Sequence, residues 1–593
     1  MIHIPRSLIV VLVSIPSIAS SQTAVTELSV GLVRARIHAG GRIGSTAPTG
    51  LAGFIVPTGP TDLVSPLYTT GLWLSGTTAG GQVRCSAHLY GSDADFNTGP
   101  LTVDGTASLP SSTALAYDRF WQVHRTQVDL HLGYSACLND PDCDELLEYP
   151  DYAVPSEFIS WPAMGNTAAG QAPYLAPFVD ANNNGIYDPS NGDYPCFLGD
   201  VAVYHIFNDK KQFQTFGQPL GIEGHMTTFG YWGSEASEVP YALFTHYRLI
   251  NRSSETYSNF RIGLFADFDL GCSTDDRIGT DVGRNLLYVV NGSNNDVACF
   301  GTPGYGVQPP AFGMHILKGP LMDADGLDNI ATPLIPALNG NGFDDGTIDN
   351  EQHGLDGTIY FLSSGNTAMT DPTQESHFVN YLQGAWKNGT PLTYSGVGLG
   401  GTINSAFAFP GSSDPTGVGT GGVPQSPWSD ASPALPQGDR KGVAIMGPMT
   451  LLPGMEKEIL VAYTYARAAT GGVSASLAAL NQRVDNITAL FADAAGVPML
   501  NECSSIATGV VPHRSNDGVR VYPNPAGEVL YLTTPPDQAL RGLTILNALG
   551  QALIETRIAG TIGPIDIGDL PAGLYMIKLD TGTGSTVRRF VKE

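Results

Sequence analysis

The sequence predicts an all-β protein: a large multi-sheet, sandwich-like body followed by a small immunoglobulin-like β-sandwich. Segments rich in β-branched and aromatic residues recur from residue 24 to about residue 500, with the alternation typical of antiparallel sheets that bury one face. Only 474–493 has the spacing of an amphipathic helix. The last 75 residues repeat short strand patterns every 8 to 12 residues or so, as β-sandwiches do.

The N-terminus has the features of a secretory signal peptide. Arg6 precedes an apolar run over 8–18, and small residues at 19–21 precede Gln22. The run is shorter than the ~20 residues that a membrane span needs. We therefore expect residues 1–21 to be removed on export, and no later run is apolar enough to span a membrane.

The body is expected to occupy residues 22–500, in one domain or two. Its clearest strand segments are 71–74, 83–90, 120–132, 201–207, 243–251, 260–267, 286–290, 359–362 and 459–465. The segment 411–437 is rich in Gly, Pro and Ser and is predicted to be a long surface loop.

The predicted helix closes the body. Ser474 can cap its first turn, and Gly496 and Pro498 end it. Its apolar face follows the i, i+3, i+4, i+7 rule and comprises Leu477, Leu480, Val484, Ile487, Leu490 and Phe491. Residues 501–518 are polar, lack a strand pattern, and are predicted to be a linker.

Residues 519–593 form the predicted C-terminal domain. Its short strand segments are separated by turn-forming sequences such as 535–536, 547–550 and 559–560. Three motifs stand out: an opening Tyr-Pro-Asn-Pro, a strand start containing Gly-Leu-Tyr, and a basic-aromatic close. Their residues are Tyr522, Pro523, Asn524, Pro525, Gly573, Tyr575, Arg589, Phe590 and Lys592.

On these motifs the segment resembles the type A C-terminal sorting domain of cargo for the type IX secretion system of Bacteroidetes. The resemblance implies export through the outer membrane, contact with the type IX machinery, and a secreted or surface-attached protein. It also implies that the domain is removed at the outer membrane, and it implies nothing about the activity of the body.

The body in turn resembles a recurrent group of large exported Bacteroidetes proteins that carry the same sorting domain. The resemblance implies a shared architecture and no particular activity. It rests on motifs at 71–74, 176–189, 192–195, 267–271, 275–276, 345–351, 384–389, 438–440 and 447–448.

The charged-residue composition limits the classes of molecule that the protein can bind. The formal charge is −26, from 29 basic and 55 acidic residues. Nucleic acids and anionic membranes need basic surfaces, so they are excluded as partners. The acidity either keeps a secreted protein soluble or provides sites for divalent cations, since much of the Asp lies in Gly- and Asn-rich loops.

The seven cysteines are too few for a disulfide-built scaffold, and no Cys-x-x-Cys pair occurs. Cys137 and Cys143 flank a turn-rich loop and are predicted to form a local disulfide, because an exported chain can oxidise. Cys272 with Cys299 is a second candidate pair. The odd count leaves at least one thiol unpaired within the chain.

The segment 180–188 has the spacing of the first half of a calcium loop. Gly185 at position 6 permits the sharp turn, and position 12 is Asn191 in place of the usual Glu. The predicted ligands are Asp180, Asn182, Asn184, the backbone carbonyl of Ile186, Asp188 and, closing the shell, Asp193. The alternative is a pair of Asx-turns that needs no ion.

A second acidic cluster follows the apolar strand at 260–266. Five carboxylates this close repel one another unless a cation or a basic partner neutralises them. Three interpretations stay open: a calcium site, a loop salt-bridged to Arg277 and Arg284, or a catalytic carboxylate pair. The residues are Asp267, Asp269, Asp275, Asp276 and Asp281. A third cluster, less specific for calcium, comprises Asp344, Asp345, Asp349 and Glu351.

Most enzyme motifs are missing from the sequence: there is no His-Glu-x-x-His, no Gly-x-Ser-x-Gly and no phosphate loop ending in Gly-Lys-Ser/Thr. Glycosidase chemistry needs only two carboxylates that the fold brings together, so a secreted hydrolase of polysaccharide or protein stays the alternative. The primary prediction is a non-catalytic, calcium-stabilised protein for adhesion or for binding an extracellular glycan or protein. The six tryptophans are expected in the core rather than on a sugar-binding surface.

Overall fold

A computed structural model describes two compact units, residues 1–509 and 510–593. The described residues are 24–45, 53–58, 64–90, 92–211, 217–233, 237–330, 340–431, 438–492, 520–522, 526–533, 540–547, 552–557, 563–581 and 585–592. The predicted signal peptide and the predicted linker lie outside them.

The first unit, the body, contains two nine-stranded antiparallel sheets. In sheet A the strands run in the order β1-β2-β3-β5-β14-β21-β20, with β4 paired to β2 and β6 to β5. Its strands are β1 (Val25–Val30), β2 (Val33–His38), β3 (Ile43–Gly44), β4 (Phe54–Ile55), β5 (Thr69–Thr78), β6 (Val83–Ala87), β14 (Tyr257–Phe268), β20 (Gly357–Phe361) and β21 (Arg440–Leu451).

Sheet B has the order β15-β16-β19-β22-β13-β12-β11-β7, with β8 paired to β11. Its strands are β7 (Asn97–Thr98), β8 (Trp121–His124), β11 (Val201–Asn208), β12 (Ile222–Gly230), β13 (Ala242–Asn251), β15 (Asp276–Asp281), β16 (Leu286–Asn291), β19 (Ala311–Lys318) and β22 (Glu456–Ala466). Two short hairpins pair β9 (Phe178–Val179) with β10 (Tyr194–Pro195) and β17 (Asn295–Asp296) with β18 (Gly306–Val307).

The two sheets pack face to face, and the main hydrophobic core lies between them. The ring of Phe312 on sheet B lies 5.3 Å from that of Phe54 and 6.4 Å from that of Phe268, both on sheet A. Thr70 and Tyr463 bring their hydroxyl oxygens to 3.5 Å across the same interface. The body is therefore a β-sandwich, and the predicted fold class is confirmed.

Helices cover the outer faces of both sheets. On sheet A, the Trp73 ring lies 4.7 Å from the ring of Phe378 on α5. A Cβ on Gly263 of β14 would lie 2.4 Å from a Leu382 methyl group, so glycine lets α5 approach the sheet closely. The helices are α1 (Ser111–Ala116), α2 (Arg125–Leu138), α3 (Glu145–Glu148), α4 (Ser156–Ile159), α5 (Glu375–Leu382) and α6 (Gly472–Ala492).

Helix α6 occupies the segment that the sequence predicts to be helical. Leu480, Val484 and Ile487 are fully buried. Phe491 packs its ring 5.1 Å from that of Phe244 on sheet B. Because these residues recur at helical spacing on one face, local periodicity was enough to predict the helix.

The predicted strand at 120–132 is wrong beyond its first residues. The strand β8 ends at His124, and α2 begins at Arg125. Apolar residues at 128, 130 and 132 alternate as in a strand, but only the helical spacing puts Val128 and His131 in the interior, and Leu130 is 49% exposed. A capping box between His124 and Gln127 starts the helix.

The second unit is a small β-domain. One sheet has the order β23-β24-β27 and the other β26-β25-β28-β29. Tyr575 and Phe590 stack at 5.6 Å in its core, beside Ile577 and Leu579. Its strands are β23 (Arg520–Tyr522), β24 (Val529–Thr533), β25 (Leu540–Leu546), β26 (Ala552–Arg557), β27 (Ile565–Asp566), β28 (Gly573–Thr581) and β29 (Ser585–Lys592).

Seven histidines of the described body residues are buried, and His38, His88 and His205 are three of them. The His88 Nε2 lies 2.9 Å from the Gly40 carbonyl oxygen, whereas neither ring nitrogen of His205 has a hydrogen-bond partner. Burial lowers the pKa of His38 and His88 to about 4 and that of His205 to about 3. The carboxylate of Asp93 opposes this shift and the guanidinium of Arg42 reinforces it in His38 and His88.

We predict that His38, His88 and His205 destabilise the body as the pH falls below about 6.5. The unfolded chain then binds protons that these three folded histidines do not, so each lowers the free energy of unfolding by about 1.4 kcal/mol per pH unit until its folded pKa is reached. Buried carboxyl groups with a raised pKa, such as Asp269, act in the opposite direction. Thermal melting of the native chain and of a variant from pH 7.5 to pH 4.5 therefore isolates the histidine contribution. A His205→Phe variant should lose less over this range, and equal acid sensitivity in the two proteins would contradict the prediction.

Candidate metal centre

A group of charged side chains lies on the outer face of sheet A, where β14 ends and β21 begins. Side chains alternate along a strand, so Asp267 projects to the same face as Phe265. Phe265 stacks on Trp73 there, at 5.2 Å. The group therefore lies on the side of the sheet that carries α5, away from the main core.

Strand register brings the carboxylates together. Asp267 pairs with Lys441 and Phe268 with Arg440 across the antiparallel strands. Asp269 directly follows the end of β14 at Phe268, and Asp439 directly precedes the start of β21 at Arg440. Carboxylate oxygens of Asp267, Asp269 and Asp439 all lie within 4.8 Å of one another. Among the described residues, these three carboxylates form a group whose oxygen atoms lie close enough together to hold a metal ion.

The inner carboxylate of the group is shielded from water, and the outer carboxylates are partly exposed. Asp267 is 5% exposed, whereas the side chains of Asp439 and Asp371 are 31% and 33% exposed. Its burial, reinforced by repulsion from Asp269, raises the pKa of Asp267 well above the usual value. Burial, with repulsion from Asp439, raises the pKa of Asp269 to about 7. At an effective dielectric constant of 20, two unit charges 4.8 Å apart repel by roughly 3 kcal/mol. The ionised group therefore requires a counter-charge.

Lys441 supplies one positive charge. Its side chain is 3% exposed, and its Nζ lies 3.3 Å from Asp439 Oδ2 and 3.6 Å from Asp371 Oδ1. The ammonium also donates to Ser363 Oγ and lies 4.7 Å from the centre of the Tyr90 ring. The nearby carboxylates raise the pKa of Lys441 despite its burial, so it stays charged.

Two hydroxyl groups hold the outer carboxylates in place. Ser363 Oγ donates to Asp439, and the Tyr90 hydroxyl donates to Asp371. Burial raises the pKa of Tyr90, so the phenol keeps its proton and acts as a donor at neutral pH. These hydrogen bonds fix Asp439 and Asp371 around Lys441.

The charges do not balance when the group is fully ionised. Asp267, Asp269, Asp371 and Asp439 then face a single ammonium, and either protonation of Asp267 and Asp269 or a bound cation relieves the imbalance. The Oδ1 atoms of Asp267 and Asp439 are buried and have no hydrogen-bond partner. Buried oxygens without donors, in a set that contains only oxygen ligands, match the preference of hard divalent cations such as calcium. Asp267, Asp269 and Asp439 are the residues that could hold such an ion.

The other three carboxylates of the predicted cluster lie outside this three-carboxylate group. Asp276 is buried, and its Oδ2 accepts from the backbone N–H of Leu270 at 3.0 Å. Burial raises the pKa of Asp276, and repulsion from Asp269 and Asp275 adds to the effect. The Oδ1 atoms of Asp275 and Asp276 are buried and have no hydrogen-bond partner. Asp281 caps a 3₁₀ turn and forms an ion pair with Arg284 at 2.8 Å, which is the salt-bridged form among the open interpretations.

In the predicted calcium loop at 180–193, the side-chain oxygens accept hydrogen bonds from backbone N–H groups of the same loop. The carboxylate of Asp180 accepts from Asn184 and Gly185, and Asp193 accepts from Ala181 and Asp188. The side chains of Asn182, Asn184 and Asp188 cap backbone N–H groups two residues further on. This hydrogen bonding is that of the Asx-turn alternative, and Ile186 lies in the same loop with its side chain 59% exposed.

The third acidic cluster is likewise held by backbone donors. Asp349 Oδ1 accepts from the N–H groups of Asp325 and Gly326 at 2.8 Å, and Asp345 accepts from Thr347. Glu351 accepts from Asn329, and Asp344 has a left-handed backbone with a φ of 54°. These contacts build a compact loop.

Sequence reasoning missed Asp439 and Lys441. Both are remote from Asp269 in the chain, and nothing in their local sequence marks them as partners of β14. The Gly-Asp-Arg motif at 438–440, one of those behind the resemblance of the body, contains Asp439. Only the pairing of β14 with β21 shows why an acidic residue at that position matters.

Two disulfides join cysteines that both lie within the described residues. Cys137 bonds to Cys143, and Cys272 to Cys299, with Cα atoms 5.3 and 5.4 Å apart. Cys85 is a free, buried thiol. The tryptophans Trp73, Trp121, Trp161, Trp386 and Trp428 are buried, and Trp232 is 56% exposed.

Within the C-terminal motifs, Tyr575 and Phe590 form the buried aromatic stack, while Tyr522 is 47% exposed and stacks on Tyr531 at 5.7 Å. Gly573 begins β28 and pairs with Lys592. Pro523, Asn524 and Pro525 lie outside the described residues, as does the side chain of Arg589. No helix of the described part is long and apolar enough to cross a membrane.

Residues 520–593 match the family model of the secretion system C-terminal sorting domain. The chain is accordingly a cargo protein of the type IX secretion system, either secreted or attached to the outer-membrane surface. No curated protein matches the chain.

Among solved structures, a polysaccharide lyase is similar to part of the chain, with a TM-score of 0.16 and 7% sequence identity. The similarity covers 62% of this chain and 34% of the lyase, so the chain spans about a third of the length of that protein. At this TM-score the similarity supports no conclusion about activity.

We predict that Lys441→Met lowers the free energy of unfolding of the body by about 3 kcal/mol, because removing one partner leaves buried carboxylates unneutralised. Denaturant unfolding at pH 8 measures the change. Lys318→Met is the matched control: Lys318 forms a half-exposed ion pair with Glu458 at 2.9 Å, and its loss should cost less than about 1 kcal/mol. Equal effects of the two substitutions would show that the buried group needs no internal cation.

Proposed function

We propose that the chain is a non-catalytic surface or extracellular protein for adhesion or ligand binding, with a β-sandwich body stabilised by calcium. Its expected ligand is an extracellular glycan or protein. The observation that carries the calcium part is the convergence of Asp267, Asp269 and Asp439, where two buried carboxylate oxygens have no donor. Calcium would supply the missing positive charge and bind oxygen ligands only, as this group offers.

Access argues for a structural role of this group. Asp267 is 5% exposed and the side chain of Lys441 is 3% exposed, so the centre of the group is closed to a polymer, and only its outer carboxylates, such as Asp439 at 31%, meet solvent. Hydrolases instead expose two carboxyl groups across a cleft. The one observation that favours the alternative, a secreted hydrolase of polysaccharide or protein, is the pKa of Asp269 near 7, which suits a general acid.

We predict that calcium raises the melting temperature of the body. An ion at ten times its Kd adds about 1.4 kcal/mol of stability, or about 2 °C for a domain of this size. Differential scanning calorimetry of the full chain in calcium, in magnesium and in chelator measures the shift. Asp269→Asn and Asp439→Asn should abolish it, because each removes a charge from the group.

The control is Asp104→Asn. Asp104 is an exposed carboxylate that accepts from Thr106 within its own turn, and its substitution should leave the calcium shift unchanged. If Asp180→Ala abolishes the shift and Asp439→Asn does not, calcium binds in the 180–193 loop instead. If chelator leaves the melting temperature of the native chain unchanged, the calcium part of the proposal is wrong.

Ligand binding is tested by a glycan and protein binding screen on the purified chain, run with and without calcium. Adhesion predicts saturable binding without turnover. Release of reducing ends or peptides from the bound ligand, lost in Asp269→Asn, would establish the hydrolase instead.

A further inference from the structure

A cavity of about 390 Å³ opens on the body beside the edge of sheet B, next to β8. Its volume falls within the range of small-molecule sites. Six of its eight lining residues are polar, which sets it apart from the aromatic core beneath. The lining residues are Thr26, Arg119, Phe120, Trp121, Gln122, Ser156, Glu157 and Ser160.

Local structure fixes the wall of this cavity. Trp121 on β8 is 4% exposed, and its indole N–H donates to the Ser160 carbonyl at 2.6 Å. That bond ties the end of α4 to the strand. The guanidinium carbon of Arg119 lies 4.9 Å from the centre of the Trp121 ring. The cation–π contact holds the guanidinium beside the opening.

Opposite charges line the cavity without pairing. Arg119 and Glu157 both face the cavity. Their charged atoms are more than 4.0 Å apart, so the two side chains form no ion pair with each other. The Arg119 guanidinium reaches only Ser160 Oγ, at the long distance of 3.5 Å. Arg119 is exposed and Glu157 is half-buried, so water solvates both in the free protein and a ligand can replace that water.

The polar groups supply both donors and acceptors. A guanidinium donates, a carboxylate accepts, and the Gln122 amide and the hydroxyls of Thr26 and Ser156 do both. A sugar presents neighbouring hydroxyl groups that each donate and accept, so it can satisfy such a mixed lining with no net charge of its own. A single anion or cation would satisfy one charged group and repel the other.

We propose that this cavity binds a neutral saccharide unit, held between the Arg119 guanidinium and the Glu157 carboxylate. The inference deepens the proposed function, since it names the site and the chemical class of the ligand. It does not depend on calcium, because the carboxylate group and the cavity share no residue.

The test is saturation-transfer difference NMR of the full chain with the methyl glycosides of glucose, galactose, mannose and N-acetylglucosamine. We expect at least one to bind with a Kd in the millimolar range or tighter. Arg119→Ala and Glu157→Gln should each weaken that binding at least tenfold. Arg34→Ala is the matched control: its guanidinium is exposed on sheet A, 3.7 Å from Glu27, and its loss should leave binding unchanged.

The outcomes separate this inference from the proposed function. If a glycoside binds equally to the native chain and to both cavity variants, ligand binding stands and the cavity is the wrong site. If none of the glycosides binds, or if zwitterionic glycine binds in their place, the saccharide inference is overturned, and the calcium shift and the protein screen still decide the proposed function. Unchanged melting temperatures of the variants confirm that a loss of binding is local.

Discussion

The antiparallel pairing of β14 with β21 is the constraint on which the body depends. It joins the two longest strands of sheet A, of 12 residues each, and each strand has two different faces. One face carries Phe268 into the core against Phe312 of sheet B. The other carries Asp267 and Lys441 to the side of α5. A shift of one residue in this register would exchange the faces, placing charged groups in the main core and aromatic rings outside.

Burial on both faces of sheet A has an electrostatic consequence. An antiparallel sheet commonly leaves one face to water, which would screen acidic side chains. Here the packing around Trp73 and α5 removes much of that water, so the carboxylates at the strand ends depend on Lys441, on two hydroxyl donors and, in our proposal, on a divalent cation. The same burial raises the pKa of Asp269 to about 7 and leaves Asp267 Oδ1 without a donor.

The sorting domain and the body are separate compact units of the chain. The C-terminal unit has its own core around Tyr575 and Phe590 and matches the sorting domain of type IX cargo. The body has two surfaces with different chemistry: the anionic group on sheet A and the polar cavity beside β8 on sheet B. In our proposals the anionic group holds a stabilising ion and the cavity binds the ligand, so stabilisation and binding use different residues.

The sequence by itself determined the features that depend on neighbouring residues. Alternation revealed most strands, the spacing of Leu480, Val484 and Ile487 revealed α6, and the motifs around Tyr575 and Phe590 revealed the sorting domain. Tertiary structure alone decided the rest. Helix α2 forms where a strand was predicted. The alternating apolar residues at 128, 130 and 132 fit either structure, and only the helix buries both Val128 and His131. Asp439 joined Asp269 across 170 residues of chain because strand register, which local sequence does not encode, placed them side by side.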